Sequence, residues 1–194
     1  YKDAHYLFFA DTGPISLKNV DNKIIGSSLM RSAREALLRL VVPAQQGFTP
    51  GRNFVNSVVS IDAAARVHHA EHESERQASV QSSPAFLLFD FSAAFPSIPS
   101  ISRWSIQLFA ASWKDAEIVL PDGSTAYQMN EGVGQGCPTA AALSVVGIDP
   151  LLLALSKLLN TEAGETISAY ADDIAMVVAE AARMSEIYVF ARFK

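Results

Sequence analysis

Two segments in the first third of the chain carry apolar residues at the spacing of amphipathic helices. The first segment repeats them every three or four positions, at Ile24, Ile25, Leu29, Ala33, Leu37 and Leu38. Pro43 and the loop "QQGFTPGR" end it. Asn53 is then a candidate N-cap for a second helix, with apolar positions Val55, Val58, Val59 and Ala63. This second helix is predicted to fade into a polar, mobile connector, "HHAEHESERQASVQSS".

The apolar runs after this connector are shorter and indicate strands alternating with helices. "AFLLFDF", residues 85–91, predicts a buried strand, and a helix is predicted from about Pro99. "AEIVLPDGSTAYQM" predicts a hairpin, because Asp-Gly supplies the positive φ of a tight turn. A small-residue helix from Pro138 to about Leu159 follows. "TISAY" and "IAMVV" are then two strands joined by Ala-Asp-Asp, with a helix after them. The order predicts an α+β fold with helices on one face of an antiparallel sheet.

Composition narrows the class of protein. The 194 residues are 49% apolar and 18% charged, which is typical of a globular domain. A net charge of −5 argues against a polybasic binder, so any nucleic-acid contact must be local. We find no apolar run of transmembrane length and expect a soluble protein with no membrane partner. The chain starts without methionine and stops inside a predicted helix, so we expect it to be an internal piece of a longer reading frame.

Three carboxylates lie where strands are predicted to end. Asp90 closes the first apolar strand, and Asp172 with Asp173 occupies the turn of the last hairpin. If these strands are neighbours, the carboxylates converge and repel unless cations neutralise them. Two Mg²⁺ ions about 3.5–4 Å apart are the natural counter-charge, and polymerases use such a pair. An ordinary Asp-Asp turn beside an unrelated Asp90 is the alternative on these residues alone.

Five ordered sequence blocks then point to one family. "GPISLKNVDNKII", "QQGFTPGRNFVNSV", "FLLFDFSAAFPSI", "GVGQGCPTAAALSVVGIDPLL" and "AYADD" resemble the reverse transcriptases of non-LTR (LINE-type) retrotransposons. The resemblance covers about residues 12–178. It implies a polymerase palm-like antiparallel sheet with helices on one face, plus partial helical fingers and no thumb. Residues 1–84 would be the partial fingers and connector, and residues 85–194 the palm.

The resemblance also implies an activity and its catalytic groups. The chain would be an RNA-directed DNA polymerase that extends a DNA primer on an RNA template with deoxynucleoside triphosphates. Asp90 and Asp172 would bridge two Mg²⁺ ions, with Mn²⁺ as a substitute, and Asp173 would be accessory. The chain would belong to a longer retrotransposon polyprotein, intracellular, in the nucleus or the cytoplasm.

Residues 91–95 match the loop after the first aspartate of the family. By this resemblance, the backbone amides of Phe91 and Ser92 face the triphosphate, and amide donors at a turn suit phosphate oxygens. Phe95 aligns with the aromatic residue that blocks a ribose 2′-hydroxyl. Core packing is the alternative role for Phe95.

Two further motifs carry expected substrate contacts. Gln135 and Gly136 resemble a pair that lies against nucleotide and template, where a glycine allows close backbone approach. Arg52 matches the arginine of the fingers, expected to contact phosphate or template. A solvated loop arginine is the alternative for Arg52.

Three positions depart from the family pattern. Gly13 and Gly134 stand where relatives often have arginine, which weakens the expected phosphate clamp, and Pro96 replaces a frequent aspartate. A second hypothesis is therefore a degenerate or domesticated fragment that binds nucleic acid or a protein partner without catalysis. A third, an RNA-dependent RNA polymerase, is disfavoured because Phe95 would exclude ribonucleotides.

The histidines and the cysteine invite other functions. His68, His69 and His72 are close in the sequence, and His68 and His72 are four residues apart. The glutamates among them and the lack of an accompanying cysteine favour a solvated helix end over a zinc site. Cys137 is predicted to be a small buried residue, and Met176 with its neighbouring valines a part of the core.

Overall fold

The computed structural model describes residues 19–73, 80–89, 117–119, 122–128 and 136–192. Contacts divide the chain into two compact units, residues 1–33 with 93–144 and residues 34–92 with 145–194. The described helices are α1 (Val20–Leu40), α2 (Phe54–Glu73), α3 (Ala140–Leu158) and α4 (Met184–Arg192). The described strands are β1 (Ala85–Phe89), β2 (Glu117–Val119), β3 (Thr125–Gln128), β4 (Thr166–Tyr170) and β5 (Asp173–Val178). These elements confirm an α+β fold.

The second unit contains a three-stranded antiparallel sheet in the order β1-β5-β4. The register of β4 and β5 runs from Thr166 opposite Val177 to Tyr170 opposite Asp173. On the other side of β5, β1 ends with Phe89 opposite Ile174. The β4–β5 turn and the last residue of β1 therefore lie at the same end of the sheet.

The core of the second unit packs this sheet against helices. Ile174, Met176 and Val178 on one face of β5 are each 1% exposed or less, and Val177 on the other face is 2% exposed. Leu152 and Leu155 share one face of α3 and join the same cluster. The predicted core role of Met176 and its valines is confirmed. The expectation that no segment has transmembrane length is wrong for α3, which is long and apolar enough to cross a membrane by length and composition alone; a third of it is buried within the protein.

Helices α1 and α2 form where the sequence predicts them, and Leu37 of the predicted α1 positions is buried, but several other predicted apolar positions are exposed. Ile24 of α1 is 59% exposed, and Val58 and Val59 of α2 are each 60% exposed. The buried positions of α2 are Ile61 and His68, seven residues apart and therefore on one face of the helix. The predicted Asn53 cap is confirmed, because its Oδ1 accepts the N–H of Asn56 at 3.2 Å.

Two other local expectations are wrong. Helix α2 does not fade before the histidines but continues to Glu73, because His68 packs inward. Strand β1 is not buried on both faces: Phe86 is 50% and Leu88 72% exposed, while Leu87 between them is 7% exposed. Strand β1 is at the edge of the sheet, and only one of its faces packs on the core.

The first unit contains the predicted β2–β3 hairpin. Gly123 has a φ of +84°, and Oδ1 of Asp122 accepts hydrogen bonds from the N–H and hydroxyl of Ser124. These bonds lower the pKa of Asp122. Cys137 is buried as predicted, with Sγ 3.1 Å from Oγ1 of Thr139. The helix predicted from Pro99 lies outside the described residues.

Candidate functional site

The two adjacent aspartates lie at the tight turn between β4 and β5. Ala171 and Asp172 form the turn, and Asp173 is the first residue of β5. Ala171 has a φ of +58°, a left-handed conformation that costs a non-glycine residue on the order of 1 kcal/mol. Asp172 is half-buried and Asp173 is exposed. One half-buried and one exposed aspartate therefore follow the strained residue Ala171 at the turn of the hairpin.

Most of the other predicted site residues lie outside the described residues. Asp90 lies outside the described residues, but the strand that leads to it ends at Phe89, opposite Ile174. Gly136, in the first unit, is exposed and has a φ of +92°, where a side chain would be strained. The remaining predicted contacts also lie outside the described residues: Phe91, Ser92, Phe95 and Gln135.

The described carboxylates have the donor chemistry of a hard-cation site. Asp172 and Asp173 offer adjacent carboxylate oxygens, which Mg²⁺ and Mn²⁺ prefer. In the described ranges, no group of three or more His, Cys, Asp or Glu side chains is arranged to hold a metal ion. The described turn therefore supplies part of a ligand set.

A loop between α1 and α2 lies against this turn, and backbone pairing fixes its position. Gln45 forms a parallel bridge with Ala169 of β4. The N–H of Ala169 donates to the carbonyl of Ala44 at 2.9 Å, and the N–H of Gln46 donates to the carbonyl of Ala169 at 2.7 Å. Residues 44–46 thus extend the sheet beside β4, two residues before the aspartate turn.

The side chain of Gln45 holds the turn itself. Its Nε2 donates to the carbonyl of Ala171 at 2.9 Å, and its Oε1 accepts the N–H of Ala171 at 2.8 Å. The same oxygen accepts the N–H of Gly47 at 2.8 Å. Gln45 is fully buried, with 0% exposure. Both backbone groups of the strained residue are therefore paired with one neutral side chain.

Gly47 allows the loop to approach this closely. A Cβ built on Gly47 would lie 2.2 Å from the backbone nitrogen of Ala171 and 2.9 Å from the carbonyl carbon of Tyr170. Phe48 follows with a φ of +48°, and its ring lies 6.0 Å from that of Tyr170. The ring of Phe54 meets Tyr170 edge-on at 6.3 Å. Contact between the loop and the turn thus continues through aromatic packing.

The side chain of Arg52, near the end of the loop, binds the backbone at the start of the loop. Its guanidinium donates to the carbonyls of Val41, Val42 and Gln45, with distances of 3.1 Å to Val41 and 2.7 Å to Gln45. A contact of Arg52 with phosphate or template stays a prediction. The described contacts show that Arg52 stabilises the loop. It binds three backbone carbonyls of the segment that follows α1.

Asp149 of α3 supports the same loop. Its Oδ1 accepts the N–H of Val42 at 2.9 Å. Burial raises the pKa of Asp149, and the Val42 N–H and the positive charge of Arg52 offset this in part. The loop that carries Gln45 is therefore held by one of its own side chains, Arg52, and by the Asp149 side chain of α3.

An apolar pocket of about 930 Å³ lies between α2 and the sheet. Phe54 and Ile61 line it from the helix, Phe86 and Leu88 from β1, and Asp173 from β5. The exposed apolar side chains of β1 thus face a concave surface beside one of the two aspartates.

His68 and His72 have different surroundings and, among the described residues, do not share a ligand site. Nε2 of His68 is buried and has no hydrogen-bond partner within the described part of the chain. Nε2 of His72 lies 3.1 Å from Oγ of Ser83. A Cβ on Gly164 would lie 3.3 Å from His68 Nε2, so the ring fills the space that this glycine leaves. The solvated helix end predicted here is wrong for His68.

Comparison with known proteins decides the family. Residues 10–191 match the family model of reverse transcriptase, RNA-dependent DNA polymerase. The chain belongs to the reverse transcriptase family. It is also 26% identical over 184 residues to the Transposon TX1 uncharacterized 149 kDa protein of Xenopus laevis, an alignment that covers 84% of this chain. The chain spans 13% of that protein's length. Both comparisons support the predicted domain of a non-LTR, LINE-type retrotransposon reverse transcriptase.

Proposed function

We propose that this chain is the catalytic part of an RNA-directed DNA polymerase that extends a DNA primer on an RNA template. The observation that carries the proposal is the Asp172–Asp173 turn at one end of an antiparallel sheet in a chain of the reverse transcriptase family. Residues 85–194 would be the palm and residues 1–84 part of the fingers.

The sheet register supports a shared role for the three aspartates. Strand β1 reaches Phe89 opposite Ile174, and Ile174 directly follows Asp173 in β5. Asp90 is the next residue of the chain after Phe89. We therefore assign Asp90 and Asp172 as the bridging metal ligands and Asp173 as an accessory carboxylate.

Two Mg²⁺ ions held by these carboxylates would activate the attacking hydroxyl and stabilise the leaving pyrophosphate. The residues of the chain contribute the negative charge that selects and orients the cations. A rigid support for these carboxylates is a requirement, because small displacements of a reacting group cost large factors in rate.

Substrates and location follow from the proposed reaction. The partners would be an RNA template, a DNA primer and deoxynucleoside triphosphates, inside the cell. The degenerate or domesticated alternative keeps nucleic-acid or protein binding and lacks primer extension, so an activity measurement separates the two.

Primer extension on an RNA template tests the proposal in the longest natural reading frame that contains this chain. Asp172→Asn should lower the rate by about 100-fold or more, because it removes charge that must balance a cation in the transition state. Asp173→Asn should have a smaller effect. Asp122→Asn is the matched control, because it makes the same change in the exposed turn of the β2–β3 hairpin and should leave extension unchanged.

Two results would contradict the proposal. Extension by Asp172→Asn at the wild-type rate would remove the metal assignment. A wild-type protein that binds primer and template but does not extend the primer would support the non-catalytic alternative.

A further inference from the structure

The geometry points to Gln45 as a positioning residue that fixes the orientation of the Asp172–Asp173 pair by holding the backbone of Ala171. This inference rests on the proposed function, because the orientation matters only if the two carboxylates bind metal. Gln45 lies 126 positions from Ala171 in the chain and belongs to a different element, the loop between α1 and α2.

The pattern of donors and acceptors allows only one arrangement of the amide. Ala171 presents one N–H and one carbonyl, and Gly47 presents a second N–H. The Gln45 oxygen meets both N–H groups and the Gln45 nitrogen meets the carbonyl. Turning the amide over would set donors against donors and the oxygen against the carbonyl. A side chain without both functions could not hold both sides of the turn.

The contact acts on the residue that determines where the aspartates point. Ala171 has the left-handed φ of +58°, and Asp172 follows it directly. A strained conformation persists only where surrounding contacts impose it. The two Gln45 bonds are contacts of this kind, and Gly47 keeps the loop close enough to make them.

Hydrogen bonds from two side chains hold the backbone of the loop that carries Gln45. Arg52 binds three of its backbone carbonyls, including that of Gln45 itself. Asp149 binds the N–H of Val42 at the start of the loop. The sequence of contacts runs from Arg52 to the Gln45 backbone, then from the Gln45 side chain to Ala171 and the aspartate pair.

Two variants of this chain test the inference with a matched control. Gln45→Met removes the donor and the acceptor while keeping a long side chain. Gln46→Met makes the same chemical change at the next residue, whose side-chain amide bonds the nearby carbonyl of Pro43 and, within the described residues, no group of the aspartate turn. The readouts are hydrogen exchange of the Ala171 amide by NMR and Mn²⁺ affinity by electron paramagnetic resonance.

We expect Gln45→Met to speed exchange at Ala171 and to weaken Mn²⁺ binding by about 10–100-fold, the range for losing a group that orients a metal ligand. Gln46→Met should stay within about twofold of wild type, a change too small to reflect a lost orienting group. Circular dichroism checks that each variant folds. If Gln45→Met does not fold, Gln45→Asn keeps a buried amide and loses only its reach.

The wild-type protein alone also tests the contact. If its Ala171 amide exchanges as fast as in an unstructured peptide, the Gln45 bonds do not form and the inference is wrong. The inference is equally wrong if Asp172→Asn abolishes Mn²⁺ binding while folded Gln45 variants bind it normally. If Asp172→Asn itself leaves Mn²⁺ binding unchanged, the proposed metal site fails instead.

Discussion

The carboxylates at the two ends of the β4–β5 hairpin differ in burial and in hydrogen bonding. At the open end, the Glu165 side chain is 1% exposed and bonds Arg183, the N–H of Asn160 at 2.7 Å and the N–H of Ala179 at 3.0 Å. At the turn end, Asp172 is half-buried, and within the described residues no group hydrogen-bonds its carboxylate. The Glu165 carboxylate stabilises the open end of the hairpin. At the turn, contacts hold the backbone, and the Asp172 carboxylate is left available for binding.

The support at each end matches this difference. Glu165 is held by a charged partner, and Arg183 also donates to the carbonyl of Leu158. The turn is held by Gln45, a neutral amide that adds no charge beside the aspartates. A cationic side chain in its place would compete with a metal ion for the same carboxylates.

The largest predicted effect comes from breaking the charged end. Arg183→Met leaves the Glu165 carboxylate buried without its cation, and losing one partner of a buried pair costs about 3–5 kcal/mol. Because the Arg183 side chain is 27% exposed, we expect about 3 kcal/mol, at the low end of that range. Denaturant unfolding measures this. Arg66→Met breaks an exposed pair with Asp62 and should change stability little.

Acid should weaken the same end by a smaller amount. Burial alone would raise the pKa of Glu165, but the N–H of Asn160, the Arg183 guanidinium and the N–H of Ala179 hold it below its usual 4.5. A lowered pKa in the folded state gives stability that is present above 4.5 and lost as the pH falls through the folded value. Unfolding curves below pH 4.5 should therefore show a loss that Glu165→Gln reduces. An unchanged pH dependence in that variant would contradict the assignment.

The smallest effect is expected at the turn. Millimolar Mn²⁺ should raise the melting temperature of this chain more than monovalent salt of equal ionic strength, because a cation that binds only the folded form stabilises it. Asp172→Asn should raise the melting temperature slightly without metal, by relieving repulsion, and should reduce the Mn²⁺ effect. Identical Mn²⁺ responses in the two proteins would mean that the turn is not a cation site.

The sequence predicts this hairpin well because its signals are local. Two apolar runs flank Asp172 and Asp173, and the order of motifs matches one family. The support of the turn is not local: Gln45 and Ala171 are far apart in the chain, and no spacing rule connects them. "QQGF" resembles a family motif, but the motif does not reveal which backbone groups the side chain of Gln45 bonds.

Burial was the least predictable property. Helical spacing locates α1 and α2, but several apolar stripes compete on each helix. On α2 the inward face carries Ile61 and His68, while the valines at positions 58 and 59 are exposed. The spacing of apolar residues identifies a helix, but the position of the sheet determines which face of the helix is buried.

The pairing of residues 44–46 with Ala169 has a consequence for self-association. Strand β4 is at one edge of the three-stranded sheet, and an exposed edge offers unpaired N–H and carbonyl groups to strands of other molecules. At Ala169 both backbone groups are already bonded, to Ala44 and Gln46. The loop therefore occupies the edge at Ala169 and blocks a foreign strand from pairing with β4 at that residue.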